Sequence, residues 1–259
     1  MKIKIKYHPF PKLRWLSLSK QVNVATTWDK CSSKQLIALL YSKSEGATDA
    51  RFVSMFYGLN YRLVSKLSKF DIYNLVEGAT QISSSPFNGN FIIRSVQTHG
   101  RASILHPPGD RMRGITFGQF IFIDAYFNNP EPDSRLRFIT HLYLPAGEKF
   151  NEDRCIERAS QLDVTDDIIE AIMYNYSLFY EYFARAYPLL FHTSSGTDAL
   201  QGVSNFKYDP RGWLKIYESI VGTDLINADR YADVPLNTMF RYLSDLRKQQ
   251  LKNNNKNPN

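Results

Sequence analysis

The chain of 259 residues is 43% hydrophobic and 22% charged, a balance that excludes wholesale disorder, and its 13 glycines and 12 prolines exclude collagen-like and low-complexity chains. Its net charge of +7 is unevenly spread: residues 1–110 hold 15 Lys and Arg against 6 Asp and Glu, and residues 111–259 hold 17 against 19. A basic half is one mark of a nucleic-acid partner; because no block of five cations occurs, a solvated face accounts for the same spread.

Cys31 and Cys155 stand apart, with no CxxC spacing. They form neither a disulfide framework nor a four-ligand zinc site, and read as free thiols of a reducing cytoplasm. Lys2, Lys4 and Lys6 interrupt the start, so it is not a signal peptide. No apolar run reaches the roughly 20 residues of a membrane span. The expectation is a soluble, cytoplasmic protein with no membrane partner.

Met1, Ile3, Ile5 and Tyr7 alternate with lysines, the period-two pattern of a half-buried edge strand. Leu13 and Trp15, then Leu16 and Leu18, continue the alternation with a one-residue shift, as a bulge would give. With Val22 and Val24 they predict a hairpin or small sheet over residues 1–25.

Helical spacing follows. Ser32 or Ser33 caps a helix bearing Leu36, Ile37, Leu39 and Leu40 that ends near Gly46. Asp49 opens another, with Phe52, Val53, Phe56 and Tyr57, stopping at Gly58 or Asn60. Short helices over 60–67 and from Ser68 onward carry Leu63, Val64, Leu67, Ile72, Leu75 and Val76. Ser83–Asn90 is a loop. Residues 91–105, with Phe91–Val96 and Ala102–Leu105 about His99-Gly100, predict a β-hairpin.

Beyond the hairpin helix dominates. Thr116 caps Phe117–Asn128, Asp133 starts a helix through Leu142, and Asn151-Glu152-Asp153 places acid where a helix dipole favours it. The longest helix, over 166–187, is apolar or aromatic around most of its girth and should be central. Trp213, Ile216, Tyr217 and Ile220 make a short helix ending at Gly222; Pro235 begins a last one. The fold class expected is mainly α (α+β): a bundle-like body over 1–192 with N-terminal strands, a hinge over 193–210, a C-terminal helical segment over 211–252 and a disordered tail over 253–259.

Motifs for catalysis are missing from this pattern. None of His8, His99, His106, His141 and His192 has a second ligand at metal spacing. Ser194-Ser195-Gly196 lacks the nucleophile-elbow pattern. Cys31 sits before a helix start, where a thiol pKa can fall, but it reads as a bystander cysteine. Asp163, Asp166, Asp167 and Glu170 read as a helix-start cluster rather than a carboxylate pair. No phosphate-cradling glycine motif is present, and Arg111-Met112-Arg113 beside Pro107-Pro108-Gly109-Asp110 reads as loop decoration. The expectation is no catalytic residue, no metal and no cofactor. An enzyme with no local motif stays open, and would need His99, His106 and an acid to converge.

Several segments carry a likeness: Trp28-Asp29-Lys30 with Gln35-Leu36-Ile37, Ile115–Phe120, Leu142–Pro145, Gly147–Phe150, Gly212–Tyr217 and Pro235–Leu243. In this order they resemble small helical proteins of tailed-phage and prophage structural modules, tail assembly chaperones above all. The resemblance implies a non-catalytic protein that works by protein–protein contact on tape-measure or tail-tube proteins. A virion component of the neck, tail or baseplate is the first alternative, and a nucleic-acid-binding module using the basic N-terminal half is the second. Trp213, Tyr217, Met239, Phe240 and Leu243 are the expected partner-binding residues.

Overall fold

The first turns of the helices follow the capping residues. Ser32 forms a reciprocal capping box with Gln35, and the side chains of Thr48, Asn60, Ser68, Thr116 and Asn151 each accept a backbone N–H of the helix they precede. In the computed structural model, which describes residues 2–7, 18–99, 103–191 and 212–256, these caps set the boundaries of a mainly α fold with small antiparallel sheets. The chain divides into two compact units, Met1–Ile93 and Arg94–Asn259.

In the N-terminal unit, β1 (Lys2–Tyr7) pairs antiparallel with β2 (Leu18–Asn23), and Ile3 faces Val22 in register. The shift at Trp15-Leu16, like His8, lies outside the described residues. Four helices follow: α1 (Ser33–Tyr41), α2 (Asp49–Tyr57), α3 (Tyr61–Val64) and α4 (Lys69–Thr80). Helix α1 stops before Gly46 because serines take over its last carbonyls: Ser42 Oγ donates to Leu39 O at 2.7 Å and Ser44 Oγ to Tyr41 O at 2.7 Å. Gly58, at φ 61°, supplies the left-handed residue that ends α2.

The core of this unit holds Leu36, Phe52, Val53, Phe56, Val64 and Leu75. Trp28 joins it, donating from Nε1 to Ser85 O at 3.0 Å and meeting Phe87 edge to face. Asn90 Nδ2 also reaches Trp28 O, so the 83–90 loop is fastened at both ends. Phe91, Ile92 and Ile93 are buried but are not a strand. Three consecutive buried residues have no alternation, and the expected hairpin begins only at Val96.

The C-terminal unit opens with β3 (Val96–Thr98) and β4 (Ile104–His106), the antiparallel core of that hairpin. Two strands of two residues complete the sheet: β5 (Leu144–Pro145) beside β4 and β6 (Leu162–Asp163) beside β3. Neither was expected, because two residues cannot display a period. Helices α5 (Phe117–Phe127), α6 (Pro132–Leu142), α7 (Glu152–Ala159) and α8 (Asp166–Ala186) build the body. After the undescribed segment 192–211, which contains His192, Ser194-Ser195-Gly196 and the expected hinge, come α9 (Gly212–Val221), α10 (Ala228–Ala232) and α11 (Leu236–Lys256).

The C-terminal helices are fastened to α5. Phe117 N donates to Val234 O at 2.9 Å and Leu236 N to Ile115 O at 2.9 Å, so the residues before α11 run as a bridge beside those before α5. Gly118 permits a close approach of α10: a Cβ there would stand 2.9 Å from Ala232 Cβ. Pro235 directly precedes α11 instead of opening it. The helix runs on to Lys256, four residues into the segment expected as a disordered tail. Residues 257–259 are not among those described.

Candidate functional surfaces

The structure brings the five expected partner-binding residues to one region, largely as interior. Phe240 is fully enclosed, its ring centroid 5.1–5.4 Å from those of Phe120, Phe183, Tyr187, Phe191 and Trp213. Met239 and Leu243 are buried beside it on α11. Trp213 and Tyr217 are half-buried; Trp213 packs on Phe117 and Phe120, and Tyr217 Oη donates to Ala228 O at 2.8 Å. Amphipathic spacing marks a buried face equally well whether the cover is a partner or the chain itself, and here α5 and α8 are the cover.

His141 is fully buried among Tyr126, Phe150 and Phe122, with ring centroids at 4.7, 5.7 and 5.9 Å. Nδ1 donates to Arg137 O at 2.7 Å, which leaves Nε2 as the lone-pair nitrogen, without a hydrogen-bond partner. Burial pulls the imidazole down to about 4, against a smaller upward pull from that carbonyl bond. Its contacts are internal, and its role is packing.

Cys31, buried before α1, is the bystander its surroundings allow rather than an activated thiol. Burial dominates and pushes the thiol up to about 12. Cys155 is buried and raised for the same reason. The acidic cluster disperses: Asp166 and Asp167 occupy the first turn of α8, Asp163 lies in β6 and Glu170 pairs with Arg135 at 2.6 Å. His99 and His106 sit toward opposite ends of the hairpin, about 13 Å apart along the strand by its register. Among the described residues no three His, Cys, Asp or Glu side chains group as metal ligands. No helix among them is long and apolar enough to cross a membrane.

A cleft of about 180 Å³ lies between β4 and the end of α6, with His106, Arg113 and Gln119 as its side-chain polar groups and Pro107, Pro145, Ala146 and Gly147 in its walls. Beside it Arg111 and Met112 both adopt positive φ, 62° and 57°, which β-turns normally reserve for Gly or Asn. The turn is held by paired backbone bonds between Gly109 and Arg113 at 2.9 Å, by burial of Met112, and by Asn237 Nδ2 donating to Arg111 O at 3.1 Å. The cleft is smaller than the 300–1,000 Å³ usual for small-molecule sites. Its wall residues bring apolar surface and little chemistry.

Large apolar side chains also stand in solvent. Leu225 and Ile226, between α9 and α10, are 75% and 97% exposed. Their loop is ordered on both sides: Asn227 Nδ2 donates to Asp224 Oδ1 at 2.9 Å, and Tyr231 Oη to Asp224 Oδ2 at 3.3 Å. In the N-terminal unit, Tyr61, Phe70 and Tyr73 are 53%, 72% and 64% exposed. Sequence reasoning passed over both places. Ile72, Leu75, Val76 and Ala79 define the buried side of α4, and Phe70 and Tyr73 fall off it, a signal the 3.6-residue period carried. Leu225-Ile226 lies in a single 3-10 turn, Leu225–Asn227, too short for a period to be read.

No protein-family model, no curated protein and no solved structure matches this chain.

Proposed function

We propose that the protein is a non-catalytic assembly factor that acts through protein–protein contacts, of the kind that attends tape-measure or tail-tube proteins in phage tails. The observation that carries the contact reading is the Leu225-Ile226 tip. Single exposed aliphatic residues are ordinary on protein surfaces, but two adjacent ones held out on a hydrogen-bonded loop favour a docking point. A loop already ordered loses little entropy on binding, so its apolar area is available for affinity. The phage assignment rests on the resemblance of the Trp28, Ile115–Phe120, Gly212–Tyr217 and Pro235–Leu243 segments to tail assembly chaperones.

The test is affinity purification of the full chain from cells that express it natively, with nuclease treatment and mass spectrometry of what remains. A long helical protein or a tube subunit, retained after nuclease and lost from a Leu225→Asp/Ile226→Asp variant, is the expected outcome. Both side chains are solvent-exposed, so the variant should fold normally by circular dichroism. Equal recovery of partners by the variant would remove the tip from the reading. Nucleic acid as the sole companion would overturn the assembly role, and presence in finished particles would make the protein a virion component.

A further inference from the structure

We infer that the exposed side of α3 and α4 in the N-terminal unit is a binding face for single-stranded nucleic acid. The inference stands apart from the assembly role and uses none of its residues. Within the thirteen residues Tyr61–Tyr73 three rings, Tyr61, Phe70 and Tyr73, and three cations, Arg62, Lys66 and Lys69, are all exposed, while Val64 and Leu67 between them are buried. Phe is among the side chains most often buried and Tyr is intermediate, and this unit buries Trp28, Phe52, Phe56, Phe87 and Phe91. Three rings left in solvent within thirteen residues that also expose three cations bring two chemistries to one stretch of the chain.

The geometry suits a chain of bases. Phe70 and Tyr73 are three residues apart on α4, which puts their Cβ atoms about 5–6 Å apart on one side of the helix. Lys69 and Tyr73, four apart, share that side. Arg62 lies on α3 and Lys66 in the turn between α3 and α4. One acid in the stretch, Asp71, is occupied by the cap, accepting from Ser68 Oγ at 2.6 Å; Glu77 follows a turn after Tyr73 and bounds the face.

Charge selects the occupant. The unit Met1–Ile93 has 13 Lys and Arg against 5 Asp and Glu, so its long-range field favours a polyanion. An acidic protein would use the cations and leave the rings to chance. A single strand uses both, with phosphates on Arg62, Lys66 and Lys69 and unstacked bases on the rings, which accept any base by its π-face. Double-stranded DNA keeps its bases stacked and offers the rings nothing.

The experiment is fluorescence anisotropy of a labelled 20-nucleotide poly-dT strand with the full chain, repeated across salt concentration. Three phosphate contacts predict a log–log salt slope near about −2, from about −0.7 per phosphate on single strands. Phe70→Ser/Tyr73→Ser should weaken binding at least about tenfold, since a stacked base contributes roughly 5- to 100-fold per ring, and leave the slope unchanged. Lys66→Gln/Lys69→Gln should reduce the slope to about −0.7 by the same count. Phe70→Tyr/Tyr73→Phe, which keeps both rings, should bind as the parent does and guards against misreading a folding defect. Absence of binding, indifference to ring loss, or equal affinity for poly-glutamate would each overturn the inference, the last in favour of an acidic protein partner.

Discussion

Both units bury most of their aromatic residues, but they differ in what they leave exposed. In the C-terminal unit Phe120, Phe183, Phe191, Trp213 and Phe240 form one continuous inward cluster, and among the described residues the large apolar side chains in solvent are mostly aliphatic, Ile104, Leu214, Leu225, Ile226 and Leu251, with Tyr242 the aromatic exception. The N-terminal unit leaves Tyr61, Phe70 and Tyr73 outside. Charge follows the same division, since Arg94–Asn259 carries 19 Lys and Arg against 20 Asp and Glu while Met1–Ile93 has a large excess of cations. A near-neutral surface with aliphatic points suits another protein; a basic surface with rings suits a ligand that has both charge and π-faces. Ring count therefore says little about function until each ring is assigned to inside or outside.

The largest expected effect tests the inward half of that comparison. Phe240→Ala removes a ring in contact with five others and should destabilise the protein by about 3–5 kcal/mol, read as a shift in the urea midpoint. A loss under about 1 kcal/mol, the scale of an exposed site, would mean that the cluster re-forms without it and that α11 is free to present this face elsewhere.

The second effect is pH-dependent and comes from the same interior. His141 has a folded pKa near 4 against 6.5 unfolded, so as pH falls the unfolded chain takes up the proton first. Its contribution is complete above pH 6.5 and is lost as pH drops toward 4, about 3 kcal/mol in all. Arg137 on its own helix opposes the charge, while Phe122 and Tyr126 of α5 and Phe150 offer it no counter-ion. Urea unfolding at pH 7 and pH 5 should separate the parent from His141→Gln, whose stability should change less over that interval. Identical pH profiles would show that some other group governs acid sensitivity.

How far the sequence foretold this fold depended on the range of the interactions. Caps are local, and Ser32, Ser68, Thr116 and Asn151 marked helix starts that the structure keeps, as did Asp49 at the head of α2. Long-range pairing left no local trace: β5 and β6 exist because β4 and β3 offer them edges, and the bridge beside Pro235 exists because the start of α5 lies next to it. At the candidate surfaces local reasoning took inside for outside at one place and was silent at another. Met239, Phe240 and Leu243 have the spacing of a docking face and are buried, whereas Phe70 and Tyr73, which the period of α4 sets off its buried side, drew no reading and are exposed. Periodicity finds the face of a helix; only tertiary structure says what covers it.

Gly118→Ala sharpens the account of how the C-terminal unit closes. Alanine ordinarily favours a helix over glycine by up to about 1 kcal/mol. Here the added methyl would meet Ala232 Cβ at 2.9 Å and Ala232 O at 3.3 Å, so α10 must retreat from α5. The net expectation is a loss of about 1–3 kcal/mol, the range for overpacking. A gain in thermal stability would show that the approach of α10 to α5 is slack.

The smallest expected effect tests the outward half. Phe70→Ser replaces a ring that is 72% exposed on the first turn of α4, next to a cap made by Ser68 and Asp71 that the substitution does not touch. Stability should change by no more than about 0.5 kcal/mol, a small fraction of the Phe240→Ala loss. The same chemical deletion, a phenyl group removed from a helix, would then be severe in one unit and nearly silent in the other. If Phe70→Ser instead costs 2 kcal/mol or more, well beyond the usual range for exposed sites, the ring is part of the fold in solution and no base can stack on it. A silent change in stability together with weakened poly-dT binding would separate the two uses of phenylalanine within one chain.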